Sequence, residues 1–145
     1  MDEPVHYLRI FEGEPLPEIG KYSPFRAVVV IEAPYSERWQ NEVSRWLVES
    51  GCLYMMAWGP NCTTWDDSVD YANLDQFEFG DIPDEHFVMT TWHERDSLDE
   101  VFWFAGFCAH HGNVELVNTL IIHISAEDAA EPMLRRFADA QERIA

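Results

Sequence analysis

The chain has 145 residues, 47% of them hydrophobic and 14% aromatic, with six tryptophans. It is long enough to bury the core of one domain and too apolar to be a disordered acidic tail. One lysine, Lys21, and eight arginines face 27 acids for a net charge of −18, which excludes the basic groove that direct DNA or RNA binding needs and opposes contact with an anionic membrane.

The opening MDEPVHYLRIF starts acidic and lacks the basic region and apolar stretch of a secretory signal. Three cysteines, Cys52, Cys62 and Cys108, contain no CxxC pair and argue against a disulfide framework. No apolar run approaches the roughly 18 residues of a membrane span. The expectation is a soluble protein of the cytoplasm.

In chain order, residues 5–11 (VHYLRIF) predict a first strand, and 12–24, with Gly13, Pro15, Pro17 and Gly20, a loop. The β-branched run FRAVVVI at 25–31 suits a strand buried on both faces. Trp39, Val43, Trp46 and Leu47 recur at i, i+4, i+7 and i+8 and predict a helix over 37–50, with Gly51 placed to end it. CLYMMAW at 52–58 is the next strand, broken by Gly59-Pro60-Asn61. A helix is predicted from Thr63, with Thr63 and Asp66 at capping-box spacing and Trp65, Val69 and Ala72 facing inward.

Residues 79–85 read as a loop and FVMTTW at 87–92 as a strand. Ser97 and Glu100 form a second capping box, opening a helix expected to run to His111 and stop at Gly112. Residues 117–124 give the last strand. Pro132 suits the first turn of a final helix whose inward positions are Met133, Phe137, Ala140 and Ile144. The alternation predicts a single α/β domain over 1–145: an N-terminal strand and Pro/Gly loop over 1–24, then β-α repeats over 25–145. Its expected architecture is three layers, a mostly parallel sheet of about five strands with helices on both faces.

Residues 61–100 hold twelve acids and one base, Arg95, so −11 of the net −18 sits in forty positions. Such self-repulsion does nothing for a fold and speaks to solubility or to partners. The third helix adds a second oddity. VFWFAGFCA at 101–109 is apolar around nearly its whole circumference, and a helix covering one sheet face needs only a stripe. Aromatic anchors such as Trp103 and Phe107 beside an acidic rim of Asp66, Asp67, Asp70, Asp75, Asp81, Asp84 and Glu85 have the make-up of a protein-binding hot spot. A central helix wedged between neighbours explains the same residues without a partner.

In parallel sheets, ligands gather outside the carboxyl ends of the strands. Here those ends collect Glu32, then Asn61 to Asp67, then His93 and Glu94, then His123 and Ser125. Catalytic candidates are His93 as general base, Glu94 or Asp66 as its acid or orienting partner, and Cys62 or Ser125 as nucleophile. His93 is expected at the rim near Asp66 or Asp67, exposed enough that His93→Ala costs little stability. His123, inside LIIHI, reads better as a buried hydrogen-bonded histidine.

No HExxH, CxxC or GxSxG signature joins these groups, and His110-His111 are adjacent on a helix and make a poor chelate. No metal and no cofactor is expected. The Gly59 to Thr64 turn resembles a phosphate cradle, but Asp66 and Asp67 would repel the anion.

Two stretches, GCLYMMAWGPNCTTWDDSVD at 51–70 and TTWHERDSLDEVFWF at 90–104, resemble a small bacterial domain family of uncharacterised function. That resemblance implies a single domain and carries no activity. Two functions follow from the residues. The first is a non-enzymatic domain whose acidic face docks or neutralises a basic partner protein, as immunity proteins and antitoxins do, while the aromatic third helix also allows a homodimer. The second is a small hydrolase built on His93, Glu94, Asp66 and Cys62.

Overall fold

A computed structural model describes residues 4–143. Five strands, β1 (Val5–Ile10), β2 (Phe25–Ile31), β3 (Cys52–Trp58), β4 (Met89–Trp92) and β5 (Asn118–Ile124), form one sheet in the order β1-β5-β2-β3-β4. Every neighbouring pair is parallel. Four helices, α1 (Glu37–Ser50), α2 (Trp65–Gln76), α3 (Leu98–Phe107) and α4 (Ala130–Gln141), complete a single α/β domain. Helix α1 packs beside α2, and α3 beside α4. The two pairs cover opposite faces, so all seven residues of β2 are buried although alternate side chains point opposite ways.

Local signals account for several boundaries. Ser36 caps α1 by accepting the Trp39 amide, and Gly51 ends it at φ 105°. The Ser97–Glu100 capping box forms with both of its hydrogen bonds. Glu12 accepts the Ser36 amide at 2.7 Å and its hydroxyl at 2.6 Å, tying the loop after β1 to the start of α1. Those two bonds, the hydroxyl first, hold the Glu12 carboxyl below the usual carboxylate range.

Other boundaries differ from expectation. The box predicted at Thr63 and Asp66 does not form. Residues Cys62–Thr64 make a 3-10 turn, α2 begins at Trp65, and the Thr64 hydroxyl donates to the Asn61 carbonyl while accepting from Gln40 Nε2. Helix α3 stops at Phe107, short of the expected His111. The amides of Cys108 and Ala109 both turn back to the Phe104 carbonyl, which leaves the Ala109 carbonyl to accept from the Nε of buried Arg26. Strands β1, β4 and β5 are one or two residues shorter than predicted. Helix α4 buries Met133, Phe137 and Ala140 as expected, and Ile144 lies outside the described residues.

Asn73 ties the long connection between α2 and β4 at two points. Itself 2% exposed, it donates to the His86 carbonyl and accepts the Val88 amide. Where β3 ends, Gly59 sits at φ 118°, and a Cβ there would meet the Ile31 carbonyl oxygen at 2.6 Å. Backbone crowds backbone at this point, so nothing can move aside. We predict that Gly59→Ala costs about 1–3 kcal/mol in urea unfolding; a loss under about 0.5 kcal/mol would show that the turn relaxes freely.

Candidate functional site

Because all strands run parallel, their carboxyl ends share one rim. Helix α1 carries the chain from β2 towards β3, whereas α4 follows β5 and packs on β1. Strands β2 and β5 are neighbours whose connections depart in opposite directions, the place where such sheets open a crevice. Glu32 and His123 meet there.

His123, 2% exposed, is the centre of a hydrogen-bonded chain. Its Nδ1 lies 2.6 Å from the Tyr7 hydroxyl and its Nε2 lies 2.6 Å from Glu32 Oε1. The Tyr7 oxygen also accepts the Ala129 amide at 3.0 Å. A carboxylate oxygen only accepts, so Nε2 donates to Glu32, and in the neutral ring Nδ1 accepts from the Tyr7 hydroxyl. Burial, opposed by the Ala129 amide and reinforced by Asp128, pushes the Tyr7 hydroxyl above its ordinary range and keeps it a donor. The expectation of a buried, hydrogen-bonded histidine at 123 holds. Its role in ordering Glu32 was not legible, because Tyr7 and His123 are 116 positions apart.

Beside Glu32 opens a cavity of about 650 Å³, lined also by Pro34, Tyr35, Trp58, Pro60 and Asn61. Its two aromatic residues are pinned from behind. The Trp58 indole N–H donates to the Asp96 carbonyl at 2.8 Å, and the Tyr35 hydroxyl accepts the Trp65 indole N–H at 2.9 Å.

The residues proposed for catalysis are placed differently from expectation. His93 follows β4 at the rim but is 8% exposed, with Nδ1 2.9 Å from Asp96 Oδ2 and Nε2 2.9 Å from Thr91 Oγ1. Its ring stands edge-on to Phe104 at 5.0 Å. Its carboxylate partner is thus Asp96, three residues on, rather than Asp66, Asp67 or Glu94, and both ring nitrogens are taken. Cys62, 1% exposed, lies against the His93 backbone. Burial foremost, with the Glu94 charge adding, pushes its thiol up, away from the thiolate that a nucleophile needs. Ser125 Oγ accepts the Glu127 amide in the turn after β5. Given this burial, we predict that His93→Ala lowers stability by roughly 1–3 kcal/mol in urea unfolding. An unchanged midpoint would restore the exposed, functional reading of this histidine.

One group among the described residues brings three carboxylates close enough for a cation. Asp66, Asp67 and Asp70 each place an oxygen within 4.8 Å of the others, in the first turns of α2. The helix dipole favours acids there, which accounts for Asp66 and Asp67. Asp70 sits one turn further in, where burial first, and then the charges of Asp66 and Asp67, push its carboxyl above the usual range against a hydrogen bond from Thr90. A carboxyl raised in the folded state opposes folding when ionised, and that penalty fades as the pH falls through its folded value. Asp70→Asn should therefore stabilise the domain at neutral pH by roughly 0.5 kcal/mol, the scale of two like-charge helix pairs. The gain should shrink towards about pH 4, where ordinary carboxyls take up protons; a loss of stability at neutral pH would contradict this.

The remaining predicted acids lie on α2 and the connection to β4, and the two predicted aromatics on α3. Asp67, Asp75, Asp81, Asp84 and Glu85 are exposed. Trp103 is half-buried and stacks on Phe107, which is exposed. Six of the eight large hydrophobic residues exposed among the described residues fall in the same stretch, 61–100: Tyr71, Leu74, Phe79, Phe87, Met89 and Trp92. Met89 and Trp92 belong to the sheet's edge at β4, and His111 Nε2 reaches the carbonyl of Phe87, just before that strand, at 2.8 Å.

No helix of the described residues is long and apolar enough to cross a membrane. The chain matches no curated protein and no solved structure. Over residues 5–140 it matches the family described as Domain of unknown function (DUF7684), and so belongs to that family.

Proposed function

We propose that this is a binding domain for a basic partner protein, which docks on the face made by α2, the 77–88 connection and the outer edge of β4. The observation that carries this reading is the coincidence of two unusual features in one segment. The stretch 61–100 holds both the −11 charge excess and six of the eight exposed large hydrophobics. Solubility alone accounts for the acids but not for the aromatics among them. An apolar centre within a charged rim is the anatomy of an interface whose anchors supply affinity and whose charges supply steering.

Two further features support it. Glu78 and Phe79 hold φ values of 54° and 62°, and Phe79 is 54% exposed, so backbone strain is spent on presenting an aromatic ring to solvent. Among the described residues strand β4 pairs with β3 alone and so forms an edge of the sheet. Neutralisation of a basic toxin, in the manner of bacterial immunity proteins and antitoxins, is one use of such a face.

The test is kinetic. With the partner captured on the immobilised domain and purified, association should slow as salt rises from about 50 to 500 mM, because screening shortens the reach of the charges. Reversing Asp75, Asp81, Asp84 and Glu85 together to Lys should lower the association rate by at least tenfold. Trp92→Ala should instead raise the dissociation rate. Association that ignores both salt and charge reversal would overturn the reading.

A further inference from the structure

We propose that the cavity beside Glu32 binds an organic cation, a guanidinium or alkylammonium group held between the Glu32 carboxylate and the rings of Tyr35 and Trp58. This goes beyond the docking face and does not rest on it, since the cavity lies at the carboxyl rim and the test needs only the isolated domain.

The charge of the lining argues for a cation. Glu32 is the one charged residue in it. Its side chain is 45% exposed, so the carboxylate reaches both solvent and cavity. The chain spends a buried histidine and a tyrosine on holding this one carboxylate in place: Ala129 N–H to Tyr7, Tyr7 to His123, His123 to Glu32 Oε1. The described residues offer Oε2 no hydrogen bond. A surface glutamate kept only for solubility would need no such support. A phosphate or carboxylate ligand would meet Glu32 without a compensating base in the lining, and the net charge of −18 would oppose it from a distance.

The walls argue for the same ligand class. Aromatic faces attract cations through their quadrupole, most strongly when the rings are fixed and partly desolvated. Trp58 and Tyr35 line the cavity and are fixed through their polar atoms, by the Asp96 carbonyl and the Trp65 N–H. Pro34 and Pro60 add rigid walls with no backbone N–H to offer an anion. The close approach of Gly59 to the Ile31 carbonyl brings the end of β3 against the end of β2 and so sets Trp58 beside Glu32. A preorganised carboxylate with aromatic walls is a cation receptor in its parts and in their arrangement.

The probes are N-acetylarginine amide, tetramethylammonium, and the neutral isostere N-acetylcitrulline amide, titrated into isotopically labelled domain and followed by ¹H–¹⁵N spectra. The expected result is a saturable shift of the Trp58 indole N–H and of the Glu32 and Asn61 amides with the two cations. The citrulline compound should bind at least tenfold more weakly. Glu32→Gln keeps an acceptor for His123 and so should fold, yet weaken cation binding by tenfold or more; Trp58→Leu, a second variant, should weaken it at least threefold. The four-residue charge reversal on the docking face should leave cation binding within twofold of the parent. Arginine amide binding above tetramethylammonium would name a side chain or other guanidinium compound as the source, and the reverse order a methylated ammonium. Equal binding of the citrulline compound, full affinity in Glu32→Gln, or unsaturable shifts spread over the acidic surface would overturn the proposal.

Discussion

A parallel sheet covered on both faces confines polar function to two places, and the rest of this molecule follows from that constraint. Strands β5, β2 and β3 are buried throughout most of their length, so their middles carry only apolar side chains and a few fully bonded polar ones. On the sheet itself, polar groups free to meet a ligand stand at the strand ends or along an uncovered edge, and the helices and loops beside these places extend them. The domain uses both. The rim holds the Tyr7–His123–Glu32 chain and its cavity; the edge at β4 holds the acidic and aromatic face.

The two places differ in their physics. In the cavity at the rim, one carboxylate is fixed by hydrogen bonds to a buried histidine and through it to a tyrosine, which is how a site gains selectivity for one ligand shape. At the edge, charge is dense and mostly solvent-exposed, which gives long-range attraction and little rigidity. The crowding has a cost that is visible at Asp70, whose carboxyl is pushed up by burial and by its acidic neighbours. A fold selected for stability alone would place an uncharged residue there.

The sequence reading was strongest where local pattern and tertiary demand agree. Strands β2 and β3 and helix α1 begin and end at the expected residues, because a β-branched run, an aromatic stripe and a glycine stop all point the same way. It failed where distant partners decide. At the end of α3 buried Arg26 takes the Ala109 carbonyl, and in place of the predicted Thr63 cap a 3-10 turn precedes α2, its Thr64 hydroxyl bonded to Gln40 of α1. At the site, Glu32 and His123 were visible as rim residues, but their join depends on the β2–β5 register and on a tyrosine from β1, none of which spacing reveals. His93 misled for the opposite reason. Its partner, Asp96, is only three residues away, and that local pairing, with the edge of Phe104, buries a histidine that the rim argument had exposed.

The central claim, that a basic protein docks on the α2–β4 face, is tested most directly by hydrogen exchange on the purified complex. The account predicts slowed exchange in the β4 amides from Met89 to Trp92 and in the 77–88 connection when the partner is bound, with β1 and α4 unchanged. Protection confined to β1 and α4, with none between Tyr71 and Trp92, would contradict it.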